Sequence, residues 1–181
     1  LAAKKNAGYV YIKKPGMMRW DYKHAAKKGK YSKSFLSDGK HMWAVLHQNK
    51  QYYKESLADS TLPVAVSFLM GKGDLKKDFK VAFDNKKNYG KKGDHVLVLT
   101  PKKPSARYKK LWLIVNPSDY SVRESVVLNS KGDTNHIRFS GAKKNSNLTN
   151  GVFLFNAKAH KDYRLVEAPK GPGPGTAPGN Q

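Results

Sequence analysis

The side chains best suited to proton transfer or metal binding are six histidines, His24, His41, His47, His95, His136 and His160. Their intervals are not those of a zinc site, which draws its ligands from short, regular spacings. His41 and His47 stand six apart on one strand with no carboxylate neighbour that makes a site. They read as isolated surface or core residues. Gly71-Lys72-Gly73-Asp74 lacks the Gly-Lys-Ser/Thr ending that cradles phosphates and holds magnesium, so ATP hydrolysis is not expected. No Gly-x-Ser-x-Gly elbow is present, and no carboxylates pair at a recognisable spacing. With no cysteine at all, thiolate chemistry and disulfides are excluded. The residues therefore point away from an enzyme and toward binding, with no cofactor and no metal.

Two kinds of binding surface are available. The 181 residues carry 35 Lys+Arg against 13 Asp+Glu, a formal net charge of +22 that attracts anionic surfaces of any kind. Most of the cations are lysines scattered as pairs such as Lys4-Lys5, Lys76-Lys77 and Lys143-Lys144. They read either as a solvated basic surface or as a dedicated polyanion site. Tyr9, Tyr11, Trp20, Tyr52 and Tyr53 can stack bases. Yet Gly8-Tyr9-Val10-Tyr11-Ile12 lacks the leading basic residue and the paired phenylalanines of an RNA-recognition strand, and nucleic acid is not the expected partner.

The second surface is apolar. Tyr9–Lys13 and Met17–Tyr22 read as two strands broken at Lys14-Pro15-Gly16, where proline has no amide to donate and glycine tolerates unusual φ. Met18, Trp20 and Tyr22 alternate with Arg19 and Asp21, so one face is apolar and the other charged. Lys23–Ser34 reads as a loop. Asp38-Gly39 then turns a hairpin whose returning strand is apolar on both sides, with Met42, Ala44 and Leu46 against Trp43 and Val45. Such a strand must be covered twice, and one cover can be a ligand or a lid. Within Leu57–Gly73, Pro63 can open a short helix that is apolar almost all round and that Gly71 can end. It is either a plug for a cavity or an ordinary core helix.

From Asp78 onward short strands follow one another: Phe79–Phe83, His95–Thr100, Leu111–Asn116, Ser121–Leu128, Thr134–Ser140 and Val152–Phe155, with Arg164–Val166 in addition. Their polar turns leave no room for crossover helices, which argues for an antiparallel meander. One domain is expected over residues 1–169, followed by a Pro/Gly-rich flexible tail, 170–181. No apolar run is long enough to span a bilayer, and the chain as given reads as soluble.

In order along the chain, Gly8–Gly16 with Arg19-Trp20, then Ser37–Lys40 with Met42-Trp43, then Leu62-Pro63 with Phe68–Gly71 and Phe79, resemble the LolA family of periplasmic lipoprotein carriers. Leu97–Lys102 resembles that family's strand ending in a Pro-Lys turn. Asn129–Phe139 resembles its late hairpin and Val152–Phe155 its closing strand. The resemblance implies a mainly β fold with short helices, an incomplete antiparallel β-barrel whose curved sheet and helical lid enclose an apolar cavity. It implies lipoprotein acyl chains as ligand, an inner-membrane lipoprotein exporter complex and the outer-membrane acceptor LolB as partners, and a periplasmic location.

Parity and apolar size within that frame select Tyr11, Met18, Trp20, Met42, Ala44, Leu46, Phe68, Leu69, Val98, Leu113 and Phe155 as the acyl-chain cavity. The family has Arg before the proline, where it holds the lid shut through main-chain carbonyls. This chain has Lys14, a point charge in place of a five-donor fork, which reads as a looser latch or as one more surface lysine. The family also opens with a helix and a strand ahead of Gly8 that have no counterpart here. The reading from another class is a basic β-rich module that binds nucleic acid or anionic polysaccharide through its lysines.

Overall fold

The computed structural model describes residues 5–57, 68–70, 74–86, 88–105, 108–144 and 146–167. These divide between two compact units, one built from the chain up to Lys72 together with the part from Asn147, the other from Gly73–Ser146. Most of the Leu57–Gly73 helix and the 170–181 tail lie outside the described residues.

The first unit holds a six-stranded sheet. Its strands are β1 (Gly8–Lys13), β2 (Met17–Lys23), β3 (Tyr31–Asp38), β4 (His41–Leu46), β5 (Gln51–Ser56) and, from the end of the chain, β11 (Arg164–Leu165). They lie side by side in the order β1-β2-β3-β4-β5-β11. The β1–β2 turn is held by Gly16 at φ +74°, a conformation that costs glycine nothing. At the β3–β4 turn Gly39 takes φ +94°, and Asp38 Oδ1 accepts from the amides of Lys40 (2.8 Å) and His41 (2.7 Å). This side-chain turn is why Asp-Gly reverses the chain here.

In the second unit Asp74 caps the single helical turn α1 (Leu75–Asp78) by accepting from the Lys76 amide. Then come β6 (Phe79–Phe83), β7 (His95–Pro101), β8 (Lys110–Val115), β9 (Val122–Leu128) and β10 (Thr134–Arg138). They form a five-stranded sheet in the order β10-β9-β8-β7-β6. Val96, Ile114 and Val126 form its buried cluster on one face, with Tyr89 and Trp112 packed against them.

The fold is mainly β with very little helix, and among the described residues neither sheet closes into a barrel. The curved sheet expected from the sequence is thus divided in two. Three local expectations are corrected. Tyr31–Ser34, read as loop, already belongs to β3, because Ser32 and Ser34 tolerate the strand while Phe35 and Leu36 anchor it. Val152–Phe155 is not a strand. Asn150–Phe153 winds as a 3-10 turn, with the Val152 amide donating to Thr149 O and that of Leu154 to Gly151 O, and it buries Phe153 completely. An apolar run of that length reads equally as strand or helix until its partner is known. Finally, the sheets are antiparallel throughout except that β11 pairs parallel with β5. The chain returns to β5 only after the whole second unit, so no tight turn dictates its direction.

Candidate functional site

Register decides which side chains of the first sheet share a face. Val10 pairs with Trp20, Trp20 with Phe35, Phe35 with Ala44 and Ala44 with Tyr53. One step along, Ile12, Met18, Ser37 and Met42 stand in a row, and Tyr22, Lys33 and Leu46 form the next. Directly paired strand residues point to the same side. Met18, Trp20, Met42, Ala44 and Leu46, all five expected in the cavity, therefore lie on one face together with Val10, Ile12 and Phe35. Met18 and Met42 are buried, while Ala44 and Leu46 are only half-buried. Trp20 stacks on Tyr22 at 5.9 Å, and Tyr22 meets Phe35 edge-on at 6.2 Å.

The other expected cavity residues do not join this face. Tyr11 pairs with Arg19 and lies on the opposite side, because the three-residue connection Lys14–Gly16 sets Lys13 against Met17 and so gives Tyr11 the parity of the charged residues. Phe155 packs on that opposite side as well, against the cluster of Leu36, Trp43 and Val45, with Tyr52 4.8 Å away. Val98 and Leu113 belong to the second sheet and to its two different faces, since Val98 pairs with Trp112 and Leu113 with Leu97. Leu113 is buried, whereas Val98 borders a depression of about 410 Å³ lined also by Asp84, Asn85, Lys86, Asn88, Lys110 and Trp112. Phe68 and Leu69 are helical and half-buried.

The turn at Lys14 carries a contact of a different kind from the one expected. The Lys14 side chain is exposed. Gly16 instead donates its amide to Met70 O at 2.9 Å, and its own carbonyl accepts from the Ser37 hydroxyl at 2.9 Å. Met70 is fully buried. The turn thus grips the end of the Leu57–Gly73 segment through the main chain, which no side-chain pattern announces. Lys13, beside it, donates to Leu148 O and Asn150 Oδ1, both at 2.9 Å.

The opposite face holds a polar chain, buried at Asp21 and Ser34 and half-buried elsewhere, that sequence reasoning missed. The Ser34 hydroxyl donates to Asp21 Oδ1 at 2.5 Å, and its oxygen lies 2.8 Å from His47 Nε2. His47 Nδ1 lies 3.0 Å from the Tyr163 hydroxyl, and Arg19 Nε donates to Asp21 Oδ2 at 2.7 Å. With Ser34 donating to Asp21, His47 must donate through Nε2 and accept at Nδ1 from Tyr163. Burial pushes His47 below its ordinary value, against the pull of the Asp21 carboxylate, and pushes Tyr163 up. This is not a nucleophilic triad. The serine sits between carboxylate and imidazole, fully buried, and a tyrosine stands where the carboxylate behind the base belongs. His47, isolated in the sequence, is brought to Asp21 by strand register alone.

The aromatics considered for base stacking are divided as well. Trp20 and Tyr53 lie on one face and Tyr9, Tyr11 and Tyr52 on the other. Tyr9 is exposed, with the Lys23 ammonium 4.6 Å from its ring centroid.

The family model described as "Outer membrane lipoprotein carrier protein LolA" matches residues 2–156. The chain belongs to the LolA family. Membership connects it with lipoprotein sorting and with a family of carriers. No curated protein matches the chain. Among solved structures, it is similar to an uncharacterized conserved protein from Thermus thermophilus, with 13% identity over 85% of this chain and 76% of that one, at TM-score 0.46. It is similar also to a putative outer membrane lipoprotein-sorting protein domain from Vibrio parahaemolyticus, with 12% identity, 75% and 61% coverage and TM-score 0.40. A LolA superfamily protein from Nitrosomonas europaea shares 18% identity, with 71% and 58% coverage and TM-score 0.34. The chain spans less than two thirds of the latter two. No described helix is long and apolar enough to cross a membrane.

Proposed function

We propose that this LolA-family chain is a periplasmic, non-enzymatic carrier that hides lipoprotein acyl chains between the inner and outer membranes. The observation that carries the reading is the shared face of Met18, Trp20, Phe35, Met42, Ala44 and Leu46, whose half-buried margin at Ala44 and Leu46 offers apolar surface to a ligand. Sequestering one chain of ~16 carbons at ~0.8 kcal/mol per CH₂ is worth on the order of 12 kcal/mol, enough to make a carrier necessary in water. Phe68 and Leu69, on the segment gripped at Met70 by the Gly16 amide, are the lid in this reading. Lys14 and Gly16 together form its latch. Residues 1–169 act as one carrier domain, loaded by the inner-membrane exporter complex and emptied by LolB.

Native mass spectrometry of the purified chain with lipid extraction tests the proposal, beside displacement of a fluorescent fatty-acyl probe at low and high salt. Bound lipid, or probe uptake that barely responds to salt, is the expected result. Absence of both, with binding to polyanions that weakens steeply as salt rises, would overturn the carrier in favour of the lysine surface.

A further inference from the structure

Among the described residues four strands have one open side, β1 and β11 in the first sheet and β6 and β10 in the second, and they are not equally guarded. In the second unit the Asp84 amide donates to Val96 O at 2.8 Å and the Lys102 amide to Asp78 O at 2.9 Å. With the β6–β7 register, these two bonds mean that Asp78, Lys80, Ala82 and Asp84 turn their main-chain groups toward β7. Phe79, Val81 and Phe83 turn theirs outward. The Phe79 amide is taken by Leu75 O. The outward N–H and C=O groups of Val81 and Phe83 have no partner among the described residues. Their side chains share the sheet face of the buried Leu99, Leu111 and Leu113, yet Val81 is 38% and Phe83 66% exposed.

β10, at the other end of this sheet, is guarded. Its outward residues are Thr134, His136 and Arg138, and Glu124 pairs with both His136 and Arg138. An apolar strand with free backbone groups is a template for another strand unless charge or a cover prevents it. β6 has neither on its apolar face.

We propose that the outer edge of β6, through the backbone groups of Val81 and Phe83, docks an extended acidic segment of a partner protein, which adds to the sheet as a further strand. Alternate apolar residues of that segment pack on Val81 and Phe83. Its carboxylates meet Lys77, Lys80 and Lys86, which are exposed along the strand and at both its ends. Of the neighbouring carboxylates, Asp74 is engaged by the Lys76 amide and Asp84 by Trp112 Nε1 and the Lys86 amide, which leaves the exposed Asp78 outnumbered by the three lysines. Charge selects the occupant. With a net charge of +22 a second copy of the chain is repelled from this edge, while an acidic segment is drawn to it. This inference does not depend on the ligand of the first sheet.

The test uses the full chain and fluorescent twelve-residue peptides of alternating valine and glutamate, read by anisotropy. A Val81→Pro variant removes one outward N–H and no bond to β7, a position where an edge strand accepts proline. The expected result is saturable binding to the wild type, weakened about tenfold by V81P, the worth of one backbone hydrogen bond. A peptide N-methylated at alternate amides is expected to lose affinity for the wild type similarly, which keeps the test independent of how V81P folds. A valine–lysine peptide is expected not to bind. Any of four results would overturn the proposal: no binding by the wild type, equal binding of the methylated peptide, binding lost in Val10→Pro on β1 but retained in V81P, or sedimentation showing a wild-type dimer that V81P abolishes.

Discussion

His47 Nδ1 accepts the Tyr163 hydroxyl across 3.0 Å, which ties the turn after β4 to the residue that leads into β11. Because burial holds His47 below its ordinary value, the unfolded chain binds a proton that the native one refuses. Between that lowered value and about 6.5, stability rises with pH. It is fully present above about 6.5, is lost as pH falls through the window, and levels off below it. Urea unfolding followed from about pH 8 down to about pH 5 checks this, with His47→Gln expected to flatten the slope. A wild-type slope identical to that of the variant would remove the histidine from the account.

Asp21 accepts from both Arg19 and Ser34 while almost fully buried. Asp21→Ala strands the Ser34 hydroxyl and leaves Arg19 without its carboxylate, a loss of about 1–3 kcal/mol. Denaturant midpoints measure it, and Ser34→Ala in the same background is expected to be non-additive because the two act as one network.

The shared face of the first sheet separates two substitutions of similar chemistry. Leu46→Gln, on the face of Trp20 and half-buried, is expected to weaken acyl-probe uptake with little change in melting temperature. Tyr11→Gln, on the other face, is expected to leave uptake unchanged. Equal effects of the two would dissolve the assignment of the ligand to that face.

At the lid, Lys14→Arg supplies a planar donor fork next to the turn that grips Met70 O. Probe release measured by stopped flow is expected to slow. Unchanged kinetics would leave the grip to the Gly16 amide alone.

Gly90 takes φ +79°, and a Cβ there would stand 3.0 Å from Ile114 Cγ2 in the buried cluster of the second unit. Gly90→Ala is expected to lower stability by more than about 1 kcal/mol, from backbone strain and displacement of Ile114. Thermal unfolding reads the cost directly.

Much of the architecture was legible along the chain. The alternation in Met18-Arg19-Trp20-Asp21-Tyr22 determined which of these residues share a face, and Asp38-Gly39 determined the reversal before β4, because both are properties of a few adjacent residues. The ordered series of short motifs was enough to indicate the LolA family. Other features were decided only by tertiary structure. Tyr11 fell away from Trp20 through the pairing of β1 with β2, and Val98 parted from Leu113 through a one-residue difference in parity. Phe155 crossed to the opposite side of the first sheet because the segment around it coils over that face. The joining of Asp21, Ser34, His47 and Tyr163 depends on three strand pairings and a long return of the chain. Local sequence specifies which way a side chain points along its own strand, but its neighbours are set by register between strands, and a shift of one residue reverses a whole face.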